Sequence, residues 1–293
     1  ILYNMLDDIL LPIDFSANTE YAVKQAIELT QVTRSAIHLL HVIGSNSYHN
    51  KLTATTHVPT ASNEAFFHNE AMKKLKEWKR TIEETIPGCN VKTHLEVGSV
   101  HANIIDTAQK IEAQLIILGK EKNRGFFSYI RSLNPEEIAK LSGCPVLRIV
   151  NGASNSKIQH IVIPIRSFIP SRKIELLIVF SKMYRSKIHL VALQNKVWAK
   201  DEKGNALLDS YRLLTSRITN RIEYHLLKGS NLPKATLKYA ASVGADMIFV
   251  NPLVETKMSM FTGRHIKDSL APKSKLKIVY VDPYPAKYIL NKD

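Results

Sequence analysis

The chain says nearly the same thing twice. Ile9-Leu10-Leu11-Pro12-Ile13-Asp14 returns as Ile161-Val162-Ile163-Pro164-Ile165-Arg166, and Ser35-Ala36-Ile37-His38-Leu39 returns as Ser186-Lys187-Ile188-His189-Leu190. Val91 to Ser99 matches Ile222 to Ser230, and Ala113 to Gly119 matches Ala245 to Asn251. The order is kept at offsets of 131 to 152 residues. That spacing marks a duplicated domain and excludes a short-period solenoid. The chemistry is not duplicated: Asp14 becomes Arg166 and Gly119 becomes Asn251. A fold is kept twice while a site is kept, at best, once.

At 293 residues the chain has room for two domains, each with its own core. The reading divides it into residues 1–152, with a partly retained site, and a degenerate, basic copy at 153–293. The polar stretch Asn151 to Ser156 serves as linker. The net charge of +14 is uneven: residues 1–152 hold 16 basic and 16 acidic groups, and residues 153–293 hold 24 and 10. That asymmetry suggests either an anionic partner or a solvated lysine-rich surface. Basic and aromatic residues do not interleave as in a nucleic-acid binder, so no nucleic-acid partner is expected. No apolar run reaches the roughly 18 residues of a membrane span. Ile1 to Leu10 carries Asp7 and Asp8 and no basic leader. Cys89 and Cys144 are too few for a disulfide framework. The expectation is a cytoplasmic protein with reduced cysteines.

Five short, nearly continuous apolar runs in the first copy read as strands buried on both faces: Ile9–Ile13, Ile37–Val42, Val91–Glu96, Gln114–Leu118 and Val146–Val150. Helical periodicity fills the gaps at Thr19–Thr33, Asn63–Thr85 and His101–Glu112. Ser16 or Asn18 is a candidate cap for the first of these. Asn134-Pro135-Glu136-Glu137 opens another helix, with Gly143 placed to end it. The second copy repeats the scheme. The expected architecture is two doubly wound five-stranded parallel-sheet domains with right-handed crossovers. Their last strands, Pro145–Val150 and Leu276–Val281, should meet in a pseudo-twofold pair, because a bare edge invites aggregation. Gly44–Ser62 has no periodicity and reads as a mobile loop or lid.

In an open parallel sheet, ligands sit beyond the carboxyl ends of the strands at the switch point, here between the first and fourth strands. Asp14-Phe15-Ser16 stands on one side, and a basic loop beginning at Gly119 and running through Lys120, Lys122 and Arg124 stands on the other. A carboxylate can accept from a base or sugar, and loop amides can hold phosphate oxygens. Asp14 could equally cap the helix that follows.

These residues make the chain resemble the universal stress protein family, in its tandem two-domain form. Ile9 to Ser16, Leu39-Leu40-His41-Val42, Val97-Gly98-Ser99, Leu115 to Gly119 and Ser142 to Val150 carry the resemblance. It implies a Rossmann-like fold of the adenine nucleotide alpha hydrolase type and a non-catalytic stress-response sensor or adaptor. It implies ATP or another adenine nucleotide as ligand of the first copy. The implied contacts are Pro12, Ile13, Asp14, Val42, Leu118, Gly119, Lys122, Ser132 and Leu133. ATP-binding members carry a loop of the form Gly-x2-Gly-x9-Gly-(Ser/Thr). Here Lys122 takes the second glycine's place, Ser132 the third, and Leu133 the hydroxyl's. A lysine where backbone must touch phosphate fills that space or reshapes the loop, and Pro135 removes one amide. Lys120, Lys122, Arg124 and Arg131 could hold phosphates by charge instead.

The competing readings are a ligand-free scaffold and an adaptor that meets an anionic partner through Arg172, Lys173, Lys182, Arg185 and Lys187. Weak ATP hydrolysis ranks last, since no base or metal carboxylate is placed by the sequence. In the second copy Arg166, Asn251 and Val254 replace the site, and Arg166 is expected to pair with an acid across the interface. His38, His41, His94, His189 and His225 lie in strands without metal-ligand spacing, so no metal and no catalytic residue is expected. An unknown protein partner and a further homodimer remain open.

Overall fold

Strands apolar on successive residues must be covered on both faces, and the computed structural model has that layering. It describes residues 6–44, 61–120, 133–150, 157–194, 206–258, 265–268, 270 and 274–283. The first half runs β1 (Asp8–Pro12), α1 (Ala17–Thr33), β2 (Ala36–Ile43), α2 (Ala61–Thr85), β3 (Val91–Val97), α3 (Val100–Lys110), β4 (Leu115–Lys120), α4 (Pro135–Ser142) and β5 (Val146–Val150). The second runs β6 (His160–Pro164), α5 (Ser171–Tyr184), β7 (Lys187–Leu193), α6 (Ala206–Thr215), β8 (Ile222–Leu227), α7 (Leu232–Ser242), β9 (Met247–Val250), a 3-10 turn (Ile266–Asp268) and β10 (Lys277–Tyr280). The proposed linker and residues 45–60 of the expected lid lie outside the described residues.

All the strands join one sheet in the order β3-β2-β1-β4-β5-β10-β9-β6-β7-β8. Pairing is parallel within each half, and the seam between β5 and β10 is antiparallel, with Leu147 opposite Val279. The expected pseudo-twofold pairing of the last strands is therefore how the halves meet.

Side-chain alternation splits the core into two layers. Ile9, Leu11, Ile37, Leu39, Ile117 and Leu147 pack with Ile161, Ile163 and Val279 under α1, α2, α5 and α6. Leu10, Leu40, Ile116, Val146, Val162, Ile248 and Ile278 pack under α3, α4 and α7. Each layer runs without a break across the seam. Two contacts reinforce it. Gln25 Nε2 donates to the Tyr184 hydroxyl at 2.8 Å, and that hydroxyl donates to Glu28 Oε2 at 3.1 Å. Glu136, 2 % exposed, accepts from Thr256 Oγ1 and meets His265 Nδ1, both at 2.8 Å.

Local signals hold with two exceptions. Ser99 and Asn231, which the sequence reading did not single out as caps, close α3 and α7 through their side-chain oxygens. Gly143 ends α4 at φ 65°, a left-handed position that glycine takes without strain. Asn134 stands at the cap of α4, but its side chain makes no cap hydrogen bond. The other exception is β4. Gly119 and Lys120 were expected to open a loop, yet they continue the strand and pair with Ile149 and Val150. Pairing with β5, an interior strand of the sheet, extends the ladder past the point where apolar residues stop.

Candidate functional site

The crevice follows from strand register. β1 pairs β4 only at Ile9↔Leu115 and Leu10↔Ile116, although β1 runs on to Pro12 and β4 to Lys120. Beyond those pairs the strands part, with the chain winding one way through β2 and the other through β4. Pro12, Ile13, Val42, Leu118 and Gly119 are buried around this opening and Asp14 is half-exposed at its rim. Ile13 N donates to Leu40 O at 2.8 Å, which carries the chain past the end of β1. Leu133 packs into the core layer of α3 and α4. Lys122 and Ser132 lie outside the described residues.

Asp14 organises the turn into α1. Its Oδ1 accepts from Ser16 N at 3.1 Å, Ser16 Oγ at 2.5 Å and Thr19 Oγ1 at 3.0 Å. These bonds close a turn just ahead of α1, and none of the three goes to a backbone amide of that helix, so they make Asp14 a turn residue and do not make it the cap. Phe15 takes φ 58°, uncommon for a side chain of its size. That backbone brings its ring to 4.3 Å from the His41 ring, and Lys74 Nζ stands over the Phe15 ring, 5.5 Å from its centroid.

His41 is the rim residue that sequence reasoning passed over as one more strand histidine. Its Nδ1 lies 2.9 Å from Ile13 O. A carbonyl only accepts, so Nδ1 carries the proton. Burial lowers its pKa below the ordinary 6.5, and the Ile13 carbonyl and Asp14 only partly offset this. The ring is neutral at neutral pH, and its position directly after Leu40 in β2 was the available signal.

The second crevice has the same register and a different filling. β6 pairs β9 only at Ile161↔Met247 and Val162↔Ile248, and Ile165 N donates to Val191 O at 2.8 Å. Lys173 Nζ lies 3.0 Å from Glu255 Oε2, and both side chains are 1 % exposed. Glu255 also accepts from Asn251 N at 2.7 Å and Asn251 Nδ2 at 3.3 Å. Burial pushes Lys173 down and Glu255 up, and their mutual attraction opposes both shifts. Asn251, where the first copy has a glycine, is thus tied to an internal ion pair. Arg166 is exposed and makes no ion pair among the described residues, which corrects the expected contact across the interface.

The basic face expected on α5 is also corrected. Lys173 is buried, Arg172 donates to the Gly143 carbonyl, and Lys187 pairs with Glu223 at 2.8 Å. Only Lys182 and Arg185 of the five stand exposed. No helix among the described residues is long and apolar enough to cross a membrane.

A profile of the universal stress protein family matches residues 5–149. Through that half the chain belongs to the universal stress protein family. Solved structures carry the likeness over both halves. A universal stress protein from Archaeoglobus fulgidus DSM 4304 superposes with a TM-score of 0.68 at 17% identity, over 96% of this chain and 98% of that one. A functionally unknown protein from Pseudomonas aeruginosa PAO1 gives 0.59 at 14%, over 98% and 95%. A putative universal stress protein from Pseudomonas aeruginosa UCBPP-PA14 gives 0.55 at 13%, over 98% and 96%. At these identities the likeness concerns the fold. Universal stress protein architecture thus extends beyond the matched half, in a tandem arrangement.

Proposed function

We propose that this tandem universal stress protein is a non-catalytic, cytoplasmic sensor or adaptor that binds an adenine nucleotide in its first half only. The observation that carries the reading is the contrast between the two crevices. One is rimmed by a half-exposed carboxylate, Asp14, beside a neutral imidazole, His41. Its counterpart is filled by Lys173 and Glu255. A base or sugar would take Asp14 and the backbone around Val42, while phosphates would fall to the segment that holds Lys122 and Ser132. The Ser16 and Thr19 hydroxyls are engaged with Asp14, which favours binding over catalysis. Cys89 and Cys144 are free, and burial pushes the Cys144 thiol up to about 12, consistent with an inert thiol in a reducing compartment.

The test is a melting panel with ATP, ADP and AMP on the full chain, followed by calorimetric titration. A ligand at one hundred times its Kd stabilises by about 2.7 kcal/mol, which melting detects. The nucleotide-dependent shift is expected in the wild type and in Arg166→Ala, and absent in Asp14→Asn, each variant being compared with itself without ligand. No shift at millimolar nucleotide would favour the ligand-free scaffold. A shift untouched by Asp14→Asn would place the ligand elsewhere.

A further inference from the structure

The outer strands of the second half gather histidines that no sequence spacing reveals. His189 on β7 pairs directly with Glu223 on β8, and Val191 pairs with His225. Side chains two apart share a face, so His189, Glu223 and His225 project together beneath Tyr239 of α7. One ligand atom from each of the three lies within 4.8 Å of the other two.

The surroundings suit a metal in three ways. His189 is 2 % exposed and its Nε2 lies 3.0 Å from His160 Nδ1. That partner orients the ring and leaves Nδ1, now 2.9 Å from the Tyr239 hydroxyl, to present a lone pair. His225 Nε2 is buried and has no hydrogen-bond partner among the described residues, although it stands 3.5 Å from Glu223 Oε2. Glu223 lies 2.8 Å from Lys187 Nζ and 2.7 Å from Arg221 Nη2. Arg221 is 75 % exposed at its side chain, and both cations sit on flexible stems that can withdraw.

The pseudo-twofold gives an internal comparison. His38 and His94 occupy the corresponding places in the first half, with rings stacked 5.2 Å apart. There Lys92, not an acid, is the register partner of His38, and His38 Nε2 is taken by Asp8 at 2.7 Å. Both halves keep the histidine pair, and only the second adds a carboxylate between them.

We propose that His189, Glu223 and His225 form a binding site for a divalent transition-metal ion, zinc in the first instance. Two imidazoles and one carboxylate are a donor set that zinc favours. Ligands on a tetrahedral zinc sit roughly 3.3 Å apart at bond lengths near 2.0–2.1 Å, so the three side chains close by rotamer changes alone. A water takes the fourth position. The ion replaces the Lys187 ammonium as the neighbour of Glu223 and pins the edge strand β8 to β7.

The test titrates the full chain with zinc chloride, measures retained zinc by mass spectrometry after dialysis, and reads cobalt(II) substitution by its visible spectrum. One equivalent per chain and a tetrahedral cobalt band are expected. Affinity should fall more than about ten-fold in His225→Ala and Glu223→Gln, rise in Lys187→Gln, and stay unchanged in His94→Ala. Each variant must keep the wild-type circular dichroism; the Lys187→Gln gain stands even if a ligand variant misfolds. No retained zinc, retention indifferent to His225→Ala and Lys187→Gln, or equal loss in His94→Ala would overturn the site.

Discussion

Lys173 Nζ and Glu255 Oε2 form a 3.0 Å ion pair with each side chain only 1 % exposed, at the carboxyl ends of β6 and β9. Removing one partner leaves an unpaired buried charge, which costs about 3–5 kcal/mol. Lys173→Met should therefore lower unfolding stability by that order. Lys173→Met combined with Glu255→Gln should recover most of it, because the amide oxygen still accepts from Asn251 N. Urea unfolding of the three chains measures the difference. Equal loss in the single and double variants would show that packing, not charge, holds this crevice shut.

Acid should weaken the first half through its buried histidines. Burial sets His38, His41 and His94 below the ordinary 6.5. Above about 6.5 these rings are neutral whether the chain is folded or not, and pH has no effect through them. Below it the unfolded chain takes up protons first, so stability falls until the pH passes the folded-state values and then levels off. Each unit of separation is worth about 1.4 kcal/mol. His41→Asn keeps a donor for Ile13 O without a titrating ring, so its melting temperature should drop less between pH 7 and pH 5 than that of the wild type.

Much of the fold was legible because burial on both faces leaves a plain mark. Ile9–Ile13 and Ile161–Val162-Ile163 are apolar without alternation, and both copies repeat the mark in order. Gly143 was readable as a helix end for the same local reasons. The end of β4 was not, since Gly119-Lys120 carries no apolar signal and is held as strand by its neighbour β5. In the site, Asp14 was visible as an acid after the first strand. The plug in the second crevice was invisible, because Lys173 and Glu255 are 82 residues apart and only the sheet brings them together. A lysine inside a basic half reads as surface until an acid is found beside it.

The seam should answer to one hydroxyl. Tyr184 accepts from Gln25 and donates to Glu28 across the halves, and Gln25 is 1 % exposed. Gln25 Nε2 also donates to Glu28 Oε2 at 3.2 Å, so Tyr184→Phe leaves only one of its two amide hydrogens without an acceptor, at a cost of about 1 kcal/mol. Because both core layers cross the seam, the whole chain should still melt in one transition, only lower. A calorimetric trace that splits into two peaks would mean the halves were coupled mainly through this contact.

Arg148 makes the last prediction. It sits on β5 opposite Ile278 of β10, 7 % exposed, and burial pushes its guanidinium below its usual range. Its Nε and Nη1 find no hydrogen-bond partner among the described residues, although the Asp268 carboxylate of the second half attracts it. Residues 1–152 produced alone would expose the β5 edge, which invites another copy to pair with it. Two β5 strands meeting about a twofold at Leu147 would bring two buried arginines close together and leave Asp268 behind. The wild-type fragment should therefore associate weakly, and Arg148→Val should turn it into a tighter dimer. In the full chain the same substitution should be near neutral, since an apolar side chain of moderate size replaces a poorly satisfied buried cation. Sedimentation of both fragments and melting of both full chains read the outcome. Equal association of the two fragments would show that Arg148 has no part in directing β5 to β10.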